Sequence, residues 1–264
     1  MEKIAIVKIG GSVITYKAKS GTPTLRKKVL VQLARELSFY SGFKKEKIIL
    51  VHGTGSFGHL LAKKYQLGNL QEKQKDKLGV ALTRQSVQKL NSSLADIFLE
   101  SGCPLFPLPP ASLIRQKNGR IEFFDAEVIE LLLTLGFIPV LHGDVVVDKN
   151  SQFSICSGDQ IVSYLSNLFL AERVFFLTDV DGVFSYDPKQ NPKAKVIKEI
   201  KRKKLPAIIA GINNQSSFDT TNSMKGKLSE IADIKCDVDV FNGLIKGNFL
   251  KALKGKRVGT RIIS

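Results

Sequence analysis

The sequence predicts an α/β chain built as a three-layer αβα sandwich around a mostly parallel sheet. Short apolar runs alternate with stripes at helical spacing, the links between them are short, and several of the apolar runs end in glycine. Parallel strands need crossover connections, and those crossovers cover both faces of the sheet, so this alternation points to a buried sheet. With 264 residues and 43% hydrophobic content, the chain can fill a sizeable core as one domain over 1–264.

Each element has its own signal. Ile4 to Ile9 is an apolar run ending at Gly10-Gly11, hence a buried strand and a turn. Leu25, Val29, Leu33 and Leu37 repeat every four residues, which makes Thr24 to Tyr40 a helix. Ile48 to Val51 is a second strand, and Leu60 to Leu99 is helical with a break near Gly68-Asn69. Phe106 to Pro110 is extended, and Asn118-Gly119 turns a hairpin inside Arg115 to Phe124. A helix over Ala126 to Leu135, a strand over Ile138 to Leu141, a helix over Gln160 to Phe169 and a strand over Val174 to Thr178 follow. The last third reads as a basic loop to Lys204, a helix from Met224, a strand at Val238 to Phe241, a short helix near Phe249 and a strand at Arg261 to Ile263.

Composition removes several classes of function. The longest apolar stretch, Leu131 to Leu141, is too short to span a bilayer and is broken by Gly136 and Pro139, so no membrane role is expected. Three distant cysteines fit neither a disulfide framework nor a zinc pattern, and Met1-Glu2-Lys3 does not open a secretory leader. A cytoplasmic location is the expectation. The net charge of +16 fits nucleic acid, an anionic membrane surface or small anionic substrates and does not choose among them; the basic runs lack the interleaved aromatic residues of single-strand binders, and most of their lysines read as solvated helix faces and loops.

Four predicted strands end in similar loops: Lys8-Ile9-Gly10-Gly11-Ser12, His52-Gly53-Thr54-Gly55-Ser56, His142-Gly143-Asp144, and Thr178-Asp179-Val180-Asp181-Gly182. Ligands of open α/β sheets bind beyond the carboxyl ends of the strands, so these loops share one rim. Glycine lets backbone N–H groups approach an anion, and helix N-termini add positive potential, which suits phosphate. His52, His59 and His142 are the only histidines and lie in or beside these loops. His52 and His142 read as structural and His59 as a ligand contact. Gly53 to Gly58 satisfies G-x-G-x-x-G, but no second strand with an acidic residue about 20 positions on accompanies it, so a dinucleotide site is rejected. The P-loop pattern is absent as well.

The ordered set of these motifs resembles isopentenyl phosphate kinase. Besides the four loops it includes Ser157-Gly158-Asp159, Val183-Phe184, Asp219-Thr220-Thr221, Met224-Lys225-Gly226-Lys227 and Gly259-Thr260, so it spans essentially the whole chain. The first and last loops and Ser157-Gly158-Asp159 are shared across the amino acid kinase superfamily. Ser56-Phe57-Gly58-His59 and His142 to Val146 are narrower, resembling isopentenyl phosphate kinases and the related fosfomycin kinases.

The resemblance implies an amino acid kinase fold, with an acceptor lobe over about 1–170 and a nucleotide lobe over about 171–264. It implies a homodimer and a transfer of phosphate from ATP, with Mg2+, to isopentenyl phosphate in the alternative mevalonate route. Lys8, Lys17, His59, Asp159 and Lys227 are then the catalytic set. ATP falls to Lys8, Ile9, Gly10, Gly11, Ser12, Gly55, Thr178, Asp179, Asp181, Gly182, Val183, Phe184, Gly226 and Lys227. The acceptor falls to Thr54, Gly55, His59, Gly158 and Asp159, and no protein metal ligand is assigned. Leu78, Ala81, Leu82 and Ile155 are candidates for the wall facing an isoprenoid tail. Thr54 stands where the family has glycine, and Asn222-Ser223 replaces a Gly-Gly that would form a tight turn. A kinase for another phosphate or phosphonate, a nucleotide sensor, a basic nucleic-acid-binding module and a histidine metal hydrolase are the alternatives.

Overall fold

A computed structural model describes residues 3–16, 22–41, 46–68, 76–185, 193–213 and 221–263. Strand β1 (Ile4–Ile9) passes through Gly10 into a one-turn helix α1 (Gly11–Ile14), and α2 (Lys27–Ser41) follows. Next come β2 (Lys47–His52), α3 (Gly55–Lys64), α4 (Lys77–Glu100), β3 (Leu105–Pro107) and the short α5 (Pro110–Leu113). Strands β4 (Ile114–Lys117) and β5 (Arg120–Phe124) form the expected hairpin, with Asn118 and Gly119 both at positive φ as a type I′ turn requires. Helix α6 (Glu127–Thr134), β6 (Ile138–His142), β7 (Asp144–Asp148), β8 (Gln152–Cys156), α7 (Gly158–Leu168) and β9 (Arg173–Thr178) complete the central part. After them lie β10 (Glu199–Lys201), α8 (Leu205–Asn213), α9 (Thr221–Ala232), β11 (Asp237–Asn242), α10 (Asn248–Leu253) and β12 (Thr260–Ile263).

Among the described residues, eight strands form the main sheet in the order β10-β12-β11-β9-β1-β2-β6-β3. Every pairing in it is parallel except β11 with β12. A second sheet, β5-β4-β7-β8, stands beside it. The two-residue period of a strand sorts the core into two halves. Ala5, Val7, Ile9 and Leu50 pack against Leu33 and Leu37 of α2, Leu90 and Phe98 of α4, and Phe249 of α10. Ile6, Ile49, Val51 and Phe176 face Ile129 of α6, Ile161 and Leu165 of α7, and Leu228 and Ile231 of α9. Helices thus cover both faces, as the sequence predicts.

The local expectations need five corrections. The helix expected from Leu60 starts at Gly55, so His59 lies a full turn inside α3. The pattern misleads there because Gly58 resembles a loop residue, whereas a Cβ at that position would sit 2.5 Å from the Thr54 side chain. His142-Gly143-Asp144 is not a loop, since Gly143 alone separates β6 from β7, and Ile155 belongs to β8. The segment Phe106 to Pro110 divides between β3 and the start of α5. The basic stretch before Lys204 contains β10, and α8 beyond it lacks a polar face to mark its period. Asn222 and Ser223 lie in the first turn of α9 and not in a tight turn.

One buried carboxylate joins α2 to the C-terminal elements. Glu36 accepts from the backbone N–H groups of Gly247 (2.8 Å) and Leu250 (2.9 Å), which are orphan donors at the start of α10. Gln32 donates to the same carboxylate at 3.0 Å. Replacing Glu36 by Ala should cost ~2–3 kcal/mol of unfolding free energy, because charged hydrogen bonds are lost and buried donors are left unpaired. Urea denaturation would read this, with Glu36→Gln expected to cost less.

Candidate active site

Lys8 is the one charged residue of β1, and its strand position sends the side chain to the α7 and α9 face of the sheet. There its Nζ lies 2.7 Å from Oδ1 of Asp159, in the first turn of α7. Lys227 of α9 reaches the same carboxylate, with Nζ at 3.1 and 3.2 Å from its two oxygens, and stands 4.9 Å above the Phe176 ring. Both lysines are buried. Burial works against the charge on Asp159, but Lys227 and then Lys8 hold its carboxyl well below the usual carboxylate range. Burial pulls the Lys227 ammonium down to about 8, with Asp159 opposing and Lys8 adding repulsion. Two cations therefore share one anion beneath the rim, leaving one uncompensated positive charge.

Glycine makes the rim above them compact. A Cβ on Gly53 would lie 2.6 Å from the Gly11 nitrogen, and one on Gly11 would collide with the Gly55 backbone. Gly55 itself is at φ +50°. Thr15, which the sequence reading passed over, donates to the Gly11 carbonyl at 2.9 Å and accepts from the Ser56 N–H at 3.1 Å. The starts of α1 and α3 are thus bonded together. Ser157 caps α7 by accepting from the Gln160 N–H at 3.1 Å, and a Cβ on Gly158 would lie 3.2 Å from the His52 carbonyl. Three helix N-termini converge at the ends of neighbouring strands, a geometry that favours phosphate.

Thr54 adopts an ordinary right-handed helical conformation at φ −80° and ψ −17°. Its side chain packs against Gly58, and its Cγ2 would lie 3.2 Å from a Cβ on Gly143, so neighbouring glycines make room for it. His59 follows Gly55 by four residues, hence on the same helical face, and helical side chains lean toward the N-terminus. Its ring is exposed at the rim, yet the protein around it and then Lys8 lower its pKa below the ordinary value. Lys17, Asp219 and Thr220 lie outside the described residues.

The opposite bank is formed by the loop after β9. Ser12 donates to Asp179 at 2.9 Å, joining this loop to the first glycine loop. Asn242 donates to Asp181 at 2.9 Å, the Val183 N–H donates to Thr260 at 2.8 Å, and Thr178 donates to the Val180 carbonyl at 2.8 Å. A Cβ on Gly182 would meet the Thr260 hydroxyl at 2.6 Å, and Phe184 bridges to Val196. Gly10 donates to the Leu177 carbonyl at 2.8 Å, and Ile9 is buried beside it. Gly226 is exposed on α9 immediately before Lys227. No single-residue signal marks the supporting role of Asn242.

Leu78 and Ile155 are 66% and 41% exposed, so they are not core, and Ala81 is exposed as well while Leu82 is half-buried. A small apolar cluster of Leu67, Val80 and Val145, with Ala62, Tyr65 and Phe153 packed on it, draws on α3 and the turn after it, α4, β7 and β8. No group of three or more His, Cys, Asp or Glu suited to a metal ion occurs among the described residues. No described helix is long and apolar enough to cross a membrane.

Residues 3–237 match the amino acid kinase family. A protein named isopentenyl phosphate kinase from Methanothermobacter thermautotrophicus is 37% identical over 97% of this chain and 98% of its own length. The chain belongs to the amino acid kinase family, on its isopentenyl phosphate kinase branch. A relative of the same name from Methanocaldococcus jannaschii is 32% identical over 98% of both chains. A solved isopentenyl phosphate kinase superposes with a TM-score of 0.83 at 34% identity, over 98% of this chain and 100% of that one. An amino acid kinase needs positive charge where two anions meet, and in this chain it converges on Asp159. Asp159→Asn should lower kcat at least about 100-fold, as expected when a preorganised electrostatic element is lost. Asp159 also raises the Lys227 pKa, so a basic limb of kcat/KM set by Lys227 should move to lower pH in the variant. A pH–rate profile of both proteins would check this.

Proposed function

We propose that the protein transfers the γ-phosphoryl group of ATP to the phosphate of isopentenyl phosphate, giving isopentenyl diphosphate and ADP. The observation that supports it best is the pairing of a buried two-lysine, one-carboxylate cluster with an exposed His59 one turn inside α3, on the helical face of Gly55. An acceptor phosphate oxygen attacks the γ-phosphorus in line, and the bond from phosphorus to the β,γ-bridging oxygen breaks. A phosphate monoester is largely a dianion at pH 7, its second pKa being about 6, so no proton has to be removed. Asp159, kept ionised by two lysines, is too weak a base for proton abstraction. Its role in this reading is to hold Lys8 and Lys227 in place, and positioning with charge neutralisation supplies the acceleration.

Lys8 and Lys227 meet the transferring phosphoryl group, with Lys17 assigned beside them by the family resemblance. The N–H groups of the Gly10-Gly11 turn and of Gly55 take phosphate oxygens. Thr54, Gly158 and His59 receive the acceptor, and residues 178–184 with Gly226 line the nucleotide side. Asp159 is taken up by lysines and offers no free carboxylate to a metal, so Mg2+ would be held by the phosphates of ATP and would supply screening of the charge that repels the acceptor. The acceptor lobe in this reading is about 1–170 and the nucleotide lobe about 171–264, in a cytoplasmic homodimer.

Incubation with ATP, Mg2+ and a panel of acceptors, read by phosphorus NMR, tests the assignment. A new diphosphate signal is expected with isopentenyl phosphate, and its absence there, or its appearance only with a phosphonate such as fosfomycin, would overturn it. A donor to an anion is worth about 1.5–3 kcal/mol, so His59→Ala should raise the acceptor KM ~10- to 100-fold. The KM for ATP should stay within about twofold.

A further inference from the structure

The proposed chemistry leaves two histidines unused, and they share one arrangement. His52 and His142 end adjacent strands and pair directly in the β2–β6 register. Both are fully buried, with ring centroids 5.3 Å apart. In each, Nδ1 faces the carbonyl of the following glycine, at 3.0 Å from Gly53 and 2.9 Å from Gly143. A carbonyl oxygen only accepts, so Nδ1 carries the proton and the tautomer is fixed. At His142 the buried Nε2 has no hydrogen-bond partner among the described residues, so none of them competes with the Nδ1 bond. At His52 the atom placed 3.1 Å from Nε2 is Oδ1 of Asn91, an acceptor like the Gly53 carbonyl, so a proton on Nδ1 requires the Asn91 amide to be turned end for end, bringing its NH2 group to Nε2. Burial holds both rings neutral, pushing His52 down to about 3 and His142 to about 4.

The consequence falls on the peptide bonds. Alternation along β2 places His52 with Ile48 and Leu50 on the α2 and α4 face, where Asn91 also lies. Lys8 projects to the opposite face, toward Asp159 and Lys227. In a planar trans peptide the C=O and N–H point in opposite directions. A Gly53 carbonyl drawn to the His52 ring therefore turns the Thr54 N–H toward the lysine face. The neighbouring loop is tied to this one, because the Gly143 N–H donates to the His52 carbonyl at 3.1 Å.

We propose that His52 is a positioning residue of the acceptor site, whose Nδ1–H holds the Gly53 carbonyl so that the Thr54 amide is aimed at the acceptor phosphate. His142 orients the Gly143–Asp144 peptide in the same way. This deepens the phosphate-acceptor reading and rests on it.

Asparagine and glutamine separate peptide orientation from mere filling of space. In His52→Asn the side-chain NH2 falls near the Nδ1 position and keeps the donor to Gly53. In His52→Gln it falls near Nε2, keeping the Asn91 contact and losing that donor. The Gln variant should raise the KM for isopentenyl phosphate at least ~10-fold with the KM for ATP within about twofold, and the Asn variant should recover to within about threefold of the parent. Equal loss in both variants would overturn the proposal. Long-range proton–nitrogen NMR of the parent protein should show the proton of His52 on Nδ1, and a proton on Nε2 would also overturn it, whether or not the variants fold. That spectrum does not depend on turnover. A parent protein with the expected tautomer that makes no diphosphate would sink the acceptor assignment and leave the peptide orientation standing.

Discussion

Two ammonium groups held around a single carboxylate, largely out of water, set the terms for the rest of this structure. Such a cluster is costly to desolvate, and removing one partner leaves a buried charge without compensation. It persists only if its parts are fixed from several directions. Lys8 is anchored in a central strand with neighbours on both sides, Asp159 in the capped first turn of α7, and Lys227 in α9 against the Phe176 ring. Among the described residues, Asp159 is the one carboxylate paired with these two lysines. The positive charge left over is the feature a polyanionic nucleotide would complete, so folding energy spent on holding the lysines returns as attraction for phosphate.

The glycine loops answer to the same demand. Phosphate oxygens reach the lysines only if the backbone above them is thin and its N–H groups are free to turn inward. Gly11, Gly53 and Gly55 allow two loops to touch backbone to backbone, and Thr15 bonds them where side chains would otherwise keep them apart. Ser12 and Asp179 carry the contact across to the loop after β9.

Much of this is legible in the sequence because parallel sheets and phosphate sites leave strong local marks. A lysine inside an apolar strand, glycines at strand ends and a Ser-Gly-Asp helix start each have a direct physical reading, and the main sheet and its covering helices follow from apolar periodicity. The hairpin β7–β8 was hidden because Asp144 looks like part of a turn, although its strand begins at that residue. Helix α8 escaped notice because Leu205 to Ile212 is apolar almost throughout, which erases the contrast that reveals helical period. Asn91, Thr15 and Asn242 work through contacts with residues far along the chain, and no spacing rule marks such contacts. Thr54 brings a β-branched side chain into a glycine loop, and the room for it comes from Gly58 and Gly143, which only the folded chain sets opposite it.

Gly143 is the whole of the connection between the main sheet at β6 and the smaller sheet at β7. Its N–H is bonded to His52 and a Cβ would crowd Gly158, so this joint has no slack. The start of β7 is thereby fixed against the end of β6 at the rim. A displacement at the end of β6 is handed on to β7, and through the β7–β8 pairing to the residues opposite, with no loop in between to absorb it.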